Sequence, residues 1–199
     1  MKITSIEKIR RGKCRIWLND EPAFALTEKE VQELALFEGG ELSDEQLEVI
    51  TGTVLAKKAC SRAVDILSAR DRTCAQMISQ LTKEEFPREA VEAAMKYLSE
   101  HHYVDDLRYA CTFIALRRDR ENRRRLTQQL IQRGVSPEVI VQAFDEEGEP
   151  DETALIMQLL RKKHYDPDAD EEGRQKMIRF LAGKGFSYSQ IKKALTSFS

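Results

Sequence analysis

The sequence predicts a mainly α-helical chain. Tandem three-helix repeats are expected to form an elongated array behind a small N-terminal β-hairpin and helix extension. Three observations carry that expectation. Apolar residues recur with helical spacing at a shift of 49 residues and then of 51. The tetrad Ala69-Arg70-Asp71-Arg72 returns 48 residues later as Arg117-Arg118-Asp119-Arg120. Near the N-terminus the period changes: Cys14, Ile16 and Leu18 alternate with polar neighbours, as on one face of a strand.

Strands are expected over residues 2–9 and 13–18, with Arg11-Gly12 as the turn between them. A second turn at Asn19-Asp20-Glu21-Pro22 leads to a short extended piece ending near Leu26. Trp17, the single tryptophan, reads as a packing residue. Thr27 and Glu30 have the spacing of a capping box, so a helix should start there. It is expected to run to about Phe37 and stop at Gly39-Gly40. Ser43 and Gln46 repeat the capping signal. The helix they open is expected to run from residue 44 to Ala69, with Gly52 as a weak point inside it.

The repeats follow from position-by-position matching. Met77 and Leu81 match Leu126 and Leu130, then Met177 and Leu181. Val91, Ala94 and Met95 match Ile140, Ala143 and Phe144, then Ile191, Ala194 and Leu195. Each set has the i, i+3, i+4 spacing of a helix face. Phe86, Val135 and Phe186 keep the same shifts, with Gly134 and Gly185 before the last two as helix-ending glycines and Glu85 in the glycine's place in the first copy. The expected helices are 58–69, 73–83 and 87–101; then 106–118, 122–133 and 137–146; then 151–163, 171–183 and 188–197. Pro87 and Ser136-Pro137 mark helix starts. The corresponding domain boundaries are 1–56, 57–104, 105–148 and 149–199. Stacked repeats of this kind share a core and offer a long surface, which suits an extended partner better than a small substrate.

The net charge is −2, so the whole-chain value points neither toward nucleic acid nor away from it. The distribution says more. Residues 19–50 hold ten acids and one lysine, a net −9, and residues 138–152 hold seven acids and no base, a net −7. Between them, residues 108–133 hold eight arginines and two acids, a net +6. The four cysteines are far apart without a CxxC pair, and there is no signal peptide, which reads as reduced thiols in the cytoplasm. No apolar run approaches a membrane span.

The centre of the basic band is Arg117-Arg118-Asp119-Arg120-Glu121-Asn122-Arg123-Arg124-Arg125. Asn122 is a good helix N-cap, which puts three arginines in the first helical turn, where the dipole already carries partial positive charge. The matching place in the first copy is conventional, with Thr73 and Gln76 in capping-box spacing. Three cations against the dipole suggest a compensating role. Helix N–H groups and guanidinium forks both suit phosphate or carboxylate. The candidate docking residues are Arg70, Arg72, Arg117, Arg118, Arg120, Arg123, Arg124, Arg125 and Arg133. The competing reading is a solvated helix end in a charge-rich protein.

Several features converge on a known family. They are the tandem three-helix units, the arginine echo, the corners Gln132-Arg133-Gly134-Val135 and Gly183-Lys184-Gly185-Phe186, and the string His102-Tyr103-Val104-Asp105-Asp106-Leu107-Arg108-Tyr109-Ala110. Together they resemble the RecX family over about residues 57–199, and the N-terminal hairpin and helices fit its longer members. A histidine stands where the family has a glycine before the tyrosine, and Glu85 replaces a corner glycine. The resemblance implies a non-catalytic regulator that binds RecA filaments on single-stranded DNA, and the protein is expected to be a monomer. It also implies inhibition of ATP hydrolysis, strand exchange and coprotease activity through limited filament growth or stability.

A direct DNA-binding protein acting without RecA is the second reading, since three-helix units resemble DNA-reading folds in outline. The two readings differ in what the arginines touch: tight, salt-dependent binding of bare DNA, or effects that need the recombinase. A scaffold for another acidic protein is a third. The three histidines lack metal-ligand spacing, no glycine-rich loop suggests a nucleotide, and no carboxylate pair stands out for catalysis, so no cofactor and no enzyme activity are expected. Tyr103, Tyr109 and Phe113 read as core residues, with base stacking beside the arginines as the alternative.

Overall fold

The computed structural model describes residues 1–9 and 12–198. It divides into two compact units, Met1–Asp105 and Asp106–Ser199.

The first unit opens with an antiparallel sheet in the order β1 (Ile3–Ile9), β2 (Lys13–Leu18), β3 (Glu21–Thr27). Arg11, half of the expected first turn, lies outside the described residues. The second turn is a two-residue one. Leu18 pairs with Glu21, and Asn19 and Asp20 take φ of 50° and 67°, the left-handed pair that matches strand twist and that Asn and Asp tolerate best after glycine. Cys14, Ile16 and Leu18 are buried together with Phe24 and Leu26, as alternation requires.

Helix α1 (Glu28–Glu33) starts at the expected Thr27–Glu30 capping box but stops well before Phe37. Ala35 turns left-handed at φ 51°, and Leu36 N–H reaches back to the Val31 carbonyl, closing the helix with an alanine in the usual glycine's place. Gly39-Gly40 has a different job. Gly39 N–H donates to the Ile3 carbonyl and Ile3 N–H donates to that of Gly40, tying the loop to β1.

From Ser43 to Ala69 the helix does not break at Gly52. It runs as α2 (Asp44–Val49), a π-helical turn (Ile50–Leu55) and α3 (Ala56–Ala69). Then follow α4 (Cys74–Lys83) and α5 (Arg88–Glu100). The second unit holds α6 (Asp106–Ala115), α7 (Arg123–Gln132), α8 (Pro137–Glu147), α9 (Glu152–Lys162), α10 (Glu171–Gly183) and α11 (Tyr188–Ser197). α6 ends at Ala115 instead of residue 118, because Arg117-to-Glu121 is already a tight hydrogen-bonded turn.

The matched apolar positions fall in the cores. Met77, Leu81, Val91, Ala94 and Met95 are buried in one cluster, and Leu126, Leu130, Ile140, Ala143 and Phe144 in another. Leu181, Ile191, Ala194 and Leu195 are buried in a third, with Met177 half-buried beside them. The three corners share one backbone solution: Gly134 and Gly185 have φ of 82° and 97°, and Glu85 adopts 64° despite its side chain. Glu85 is held there by Arg15 of β2, whose Nη2 lies 2.5 Å from its carboxylate. That contact holds the Glu85 carboxyl below the usual range.

Candidate docking surface

Of the nine arginines singled out in the sequence, two lie in the first unit. Arg70 is exposed, in extended backbone just past α3. Arg72 is half-buried, and its Nε is buried without a hydrogen-bond partner among the described residues. The other seven lie in the second unit, and the structure sorts them by how they are occupied.

Asn122 organises the region. It is 2% exposed, accepts from Arg125 N–H at 3.0 Å through Oδ1, and donates through Nδ2 to the Lys184 carbonyl at 3.1 Å. One side chain therefore caps α7 and pins it to the α10–α11 corner. Gly185 makes room for it: a Cβ there would stand 3.3 Å from Asn122 Nδ2.

Three cations in the first turn of α7 are tolerated because the protein supplies its own anions. Glu152 Oε1 accepts from Arg123 N–H at 3.1 Å, a carboxylate at a helix N-terminus where the dipole favours it. The Arg123 guanidinium pairs with Glu149 and lies 4.4 Å from the Phe144 ring centroid. Arg118 donates to the Glu147 carbonyl. The acidic segment 138–152 is thus an internal partner of the arginine stretch as well as a patch in its own right. Sequence spacing did not show this, because the polar contacts span 26 to 29 positions.

Arg117 and Arg133 stack on one ring, their guanidinium carbons 4.1 and 4.6 Å from the Phe113 centroid. Arg133 also donates to the Gln129 carbonyl at 2.6 Å. Phe113 is buried and Tyr109 stacks on it, but Tyr103 is 47% exposed, contrary to the core expectation. It follows the end of α5, where the chain turns through His102 at φ 55° and carries the ring outward beside Tyr97. Arg125 Nε stands 3.2 Å from Glu121 Oε2. Arg120 and Arg124 are exposed and have no side-chain hydrogen bond or ion pair among the described residues.

Two lysines not singled out in the sequence join this group. Arg120, Glu121, Arg125, Leu155, Lys162 and Lys184 bound a cavity of about 230 Å³. Arg124, Arg125, Gln128, Lys184 and Gly185 bound another of about 290 Å³. Lys184 was visible only as a corner residue. Its counterparts in the earlier repeats are Arg133 and Glu84, so the corner carries a charge each time and the sign is what varies.

Sequence models described as the first, second and third three-helix domains of RecX match residues 59–98, 105–143 and 150–195, more than half of the chain. The chain belongs to the RecX family. "Regulatory protein RecX" of Clostridium tetani is 26% identical over 200 residues, covering 98% of this chain and 93% of that protein. The protein of the same name from Caldanaerobacter subterraneus is 28% identical over 192 residues, covering 96% and 95%. A crystal structure of regulatory protein RecX superposes with a TM-score of 0.65 at 28% identity over 96% of this chain and 97% of that one. RecX from Lactobacillus salivarius, 18% identical over 72% of this chain and 96% of its own, also gives 0.65 and shares the fold. The RecX relatives are named as regulatory proteins, and the correspondence spans the sheet as well as the repeats.

Proposed function

We propose that this RecX chain is a non-catalytic regulator of a RecA recombinase. It binds filaments assembled on single-stranded DNA and lowers their ATPase, strand-exchange and coprotease activities by limiting filament growth or stability. The observation that carries the reading is the near-full-length correspondence with proteins named regulatory protein RecX. Exposed Arg120 and Arg124, with Arg125 beside them, support it: free guanidinium forks suit a phosphate or carboxylate face. Arg118 and Arg123 contribute mainly by fixing the turn and helix that present those three. In this reading the protein acts as a monomer in the cytoplasm. Separately, no helix among the described residues is long and apolar enough to cross a membrane.

The test is the single-stranded-DNA-dependent ATPase of the cognate recombinase with this protein titrated in. Inhibition at amounts well below the recombinase supports an effect on filament growth or stability. An unchanged rate, with the protein folded, removes the reading. Direct action on DNA without the recombinase is the second reading, and the adjoining basic cavities of the second unit, which suit a bare strand as well as one held in a filament, are the observation behind it.

A further inference from the structure

The two cavities share Arg125 and Lys184, so they adjoin and together make a track across the N-terminus of α7 and the α10–α11 corner. Five cations line it, namely Arg120, Arg124, Arg125, Lys162 and Lys184, against one carboxylate, Glu121. Arg120, Arg124 and Lys162 have no side-chain ion pair or hydrogen bond among the described residues. Among the described residues the ring that lines the track is that of Phe186, which is 7% exposed, so the lining offers no stacking platform. A cationic track without a stacking platform in its lining suits a sugar–phosphate backbone.

We propose that this track binds the phosphodiester backbone of a single nucleic-acid strand, independent of base sequence, with Lys162 and Lys184 as phosphate ligands beside the α7 arginines. The assignment deepens the filament-regulator reading by giving the DNA strand a place on the second and third repeats. Glu121 acts as the built-in competitor. It occupies Arg125 at 3.2 Å and accepts from Gln129, and an arriving phosphate takes its place.

The experiment is fluorescence anisotropy of a labelled oligo-dT and of a mixed-sequence strand of equal length, each over a range of salt concentrations, with the full-length protein. Single-strand affinity falls with salt by about 0.7 in log–log slope per neutralised phosphate. Lys162→Gln with Lys184→Gln should therefore flatten the slope by about 1.4 and weaken binding at low salt at least tenfold. Lys176→Gln with Lys192→Gln, the same charge loss on exposed positions of α10 and α11, should change far less. Glu121→Gln should tighten binding, a gain that misfolding cannot imitate. Equal losses in the two lysine pairs, or no tightening by Glu121→Gln, would overturn the assignment. So would loss of recombinase inhibition in the Lys162/Lys184 variant with bare-strand binding unchanged, because the track would then meet a protein face. If the wild type binds strands as described yet leaves the recombinase ATPase untouched, the regulator reading fails and the track stands.

Discussion

Replacing Asn122 by alanine removes two separate contacts at one buried point. The first is the N-cap of α7, the bond from Arg125 N–H at 3.0 Å. Cap deletions cost about 1 kcal/mol. The second is the bond donated to the Lys184 carbonyl at 3.1 Å. Losing it costs a further ~1 kcal/mol, since the carbonyl loses its partner in a part-buried place. Asn122→Ala should therefore destabilise the second unit by about 2 kcal/mol. At roughly 4–8 °C per kcal/mol for a unit of this size, the melting midpoint should fall by about 10 °C. Asn122→Ser separates the two contributions. Serine keeps a cap acceptor and gives up the amide that reaches Lys184, so it should cost about half as much. Urea unfolding of the full chain, followed by circular dichroism, measures both variants. A loss under about 0.5 kcal/mol for alanine, or equal losses for alanine and serine, would refute the two-contact account.

Other expectations are narrower. Gly185→Ala should cost ~1–2 kcal/mol in the same unfolding experiment, because φ is 97° and the new Cβ would press on Asn122 Nδ2 at 3.3 Å. Arg124→Glu should cut recombinase inhibition severalfold without moving the melting temperature, whereas Arg123→Glu should lower the melting temperature as well, since Arg123 pairs with Glu149; equal thermal effects would undo the division between presenting and docking arginines. Leu130→Ala, at a fully buried site, should destabilise by about 2–5 kcal/mol in urea unfolding. Burial pushes the Glu30 carboxyl upward, but Lys58 and the Thr27 cap outweigh it and hold it below its ordinary 4.5, while Arg62 does the same for Glu84. Folded values below unfolded ones mean stability that is present above pH 4.5 and is lost as pH falls through the folded values. Acid titration of the melting temperature should show that decline in the wild type and a shallower one in Glu84→Gln.

The repeat architecture was legible because burial imposes a period. Leu81, Leu130 and Leu181 had to recur at the same place in each repeat, and the caps at Thr27, Ser43, Thr73 and Asn122 had to precede the helices they start. The end of α1 was not legible, because the chain closed it with Ala35 in a left-handed conformation while a glycine pair stood nearby for another purpose. The arginine stretch was visible as a charge excess, but its division was not. Whether Arg123 faces Glu149 or a partner depends on how the α8–α9 link returns past α7, and no local spacing encodes that. Lys162 and Lys184 were hidden for the same reason: they belong to the third repeat and meet the second only in three dimensions.

The π-helical turn at Ile50–Leu55 has a consequence for the helix that contains it. One residue added to a helical turn rotates everything after it by about 100° relative to an uninterrupted α-helix. Before the turn, Leu47 and Ile50 point into the sheet's core; beyond it, Ala59 and Ala63 lie in the core of the first repeat. The π turn acts as a phase shifter, letting one unbroken rod serve two cores that a uniform helix would present at the wrong azimuth. Gly52, with open space where a side chain would stand, lies within it. Deleting a single residue here would leave every side chain's chemistry intact and turn the alanine stripe out of register, so the spacing between Ile50 and Ala59 is as much a part of the fold's specification as the residues themselves.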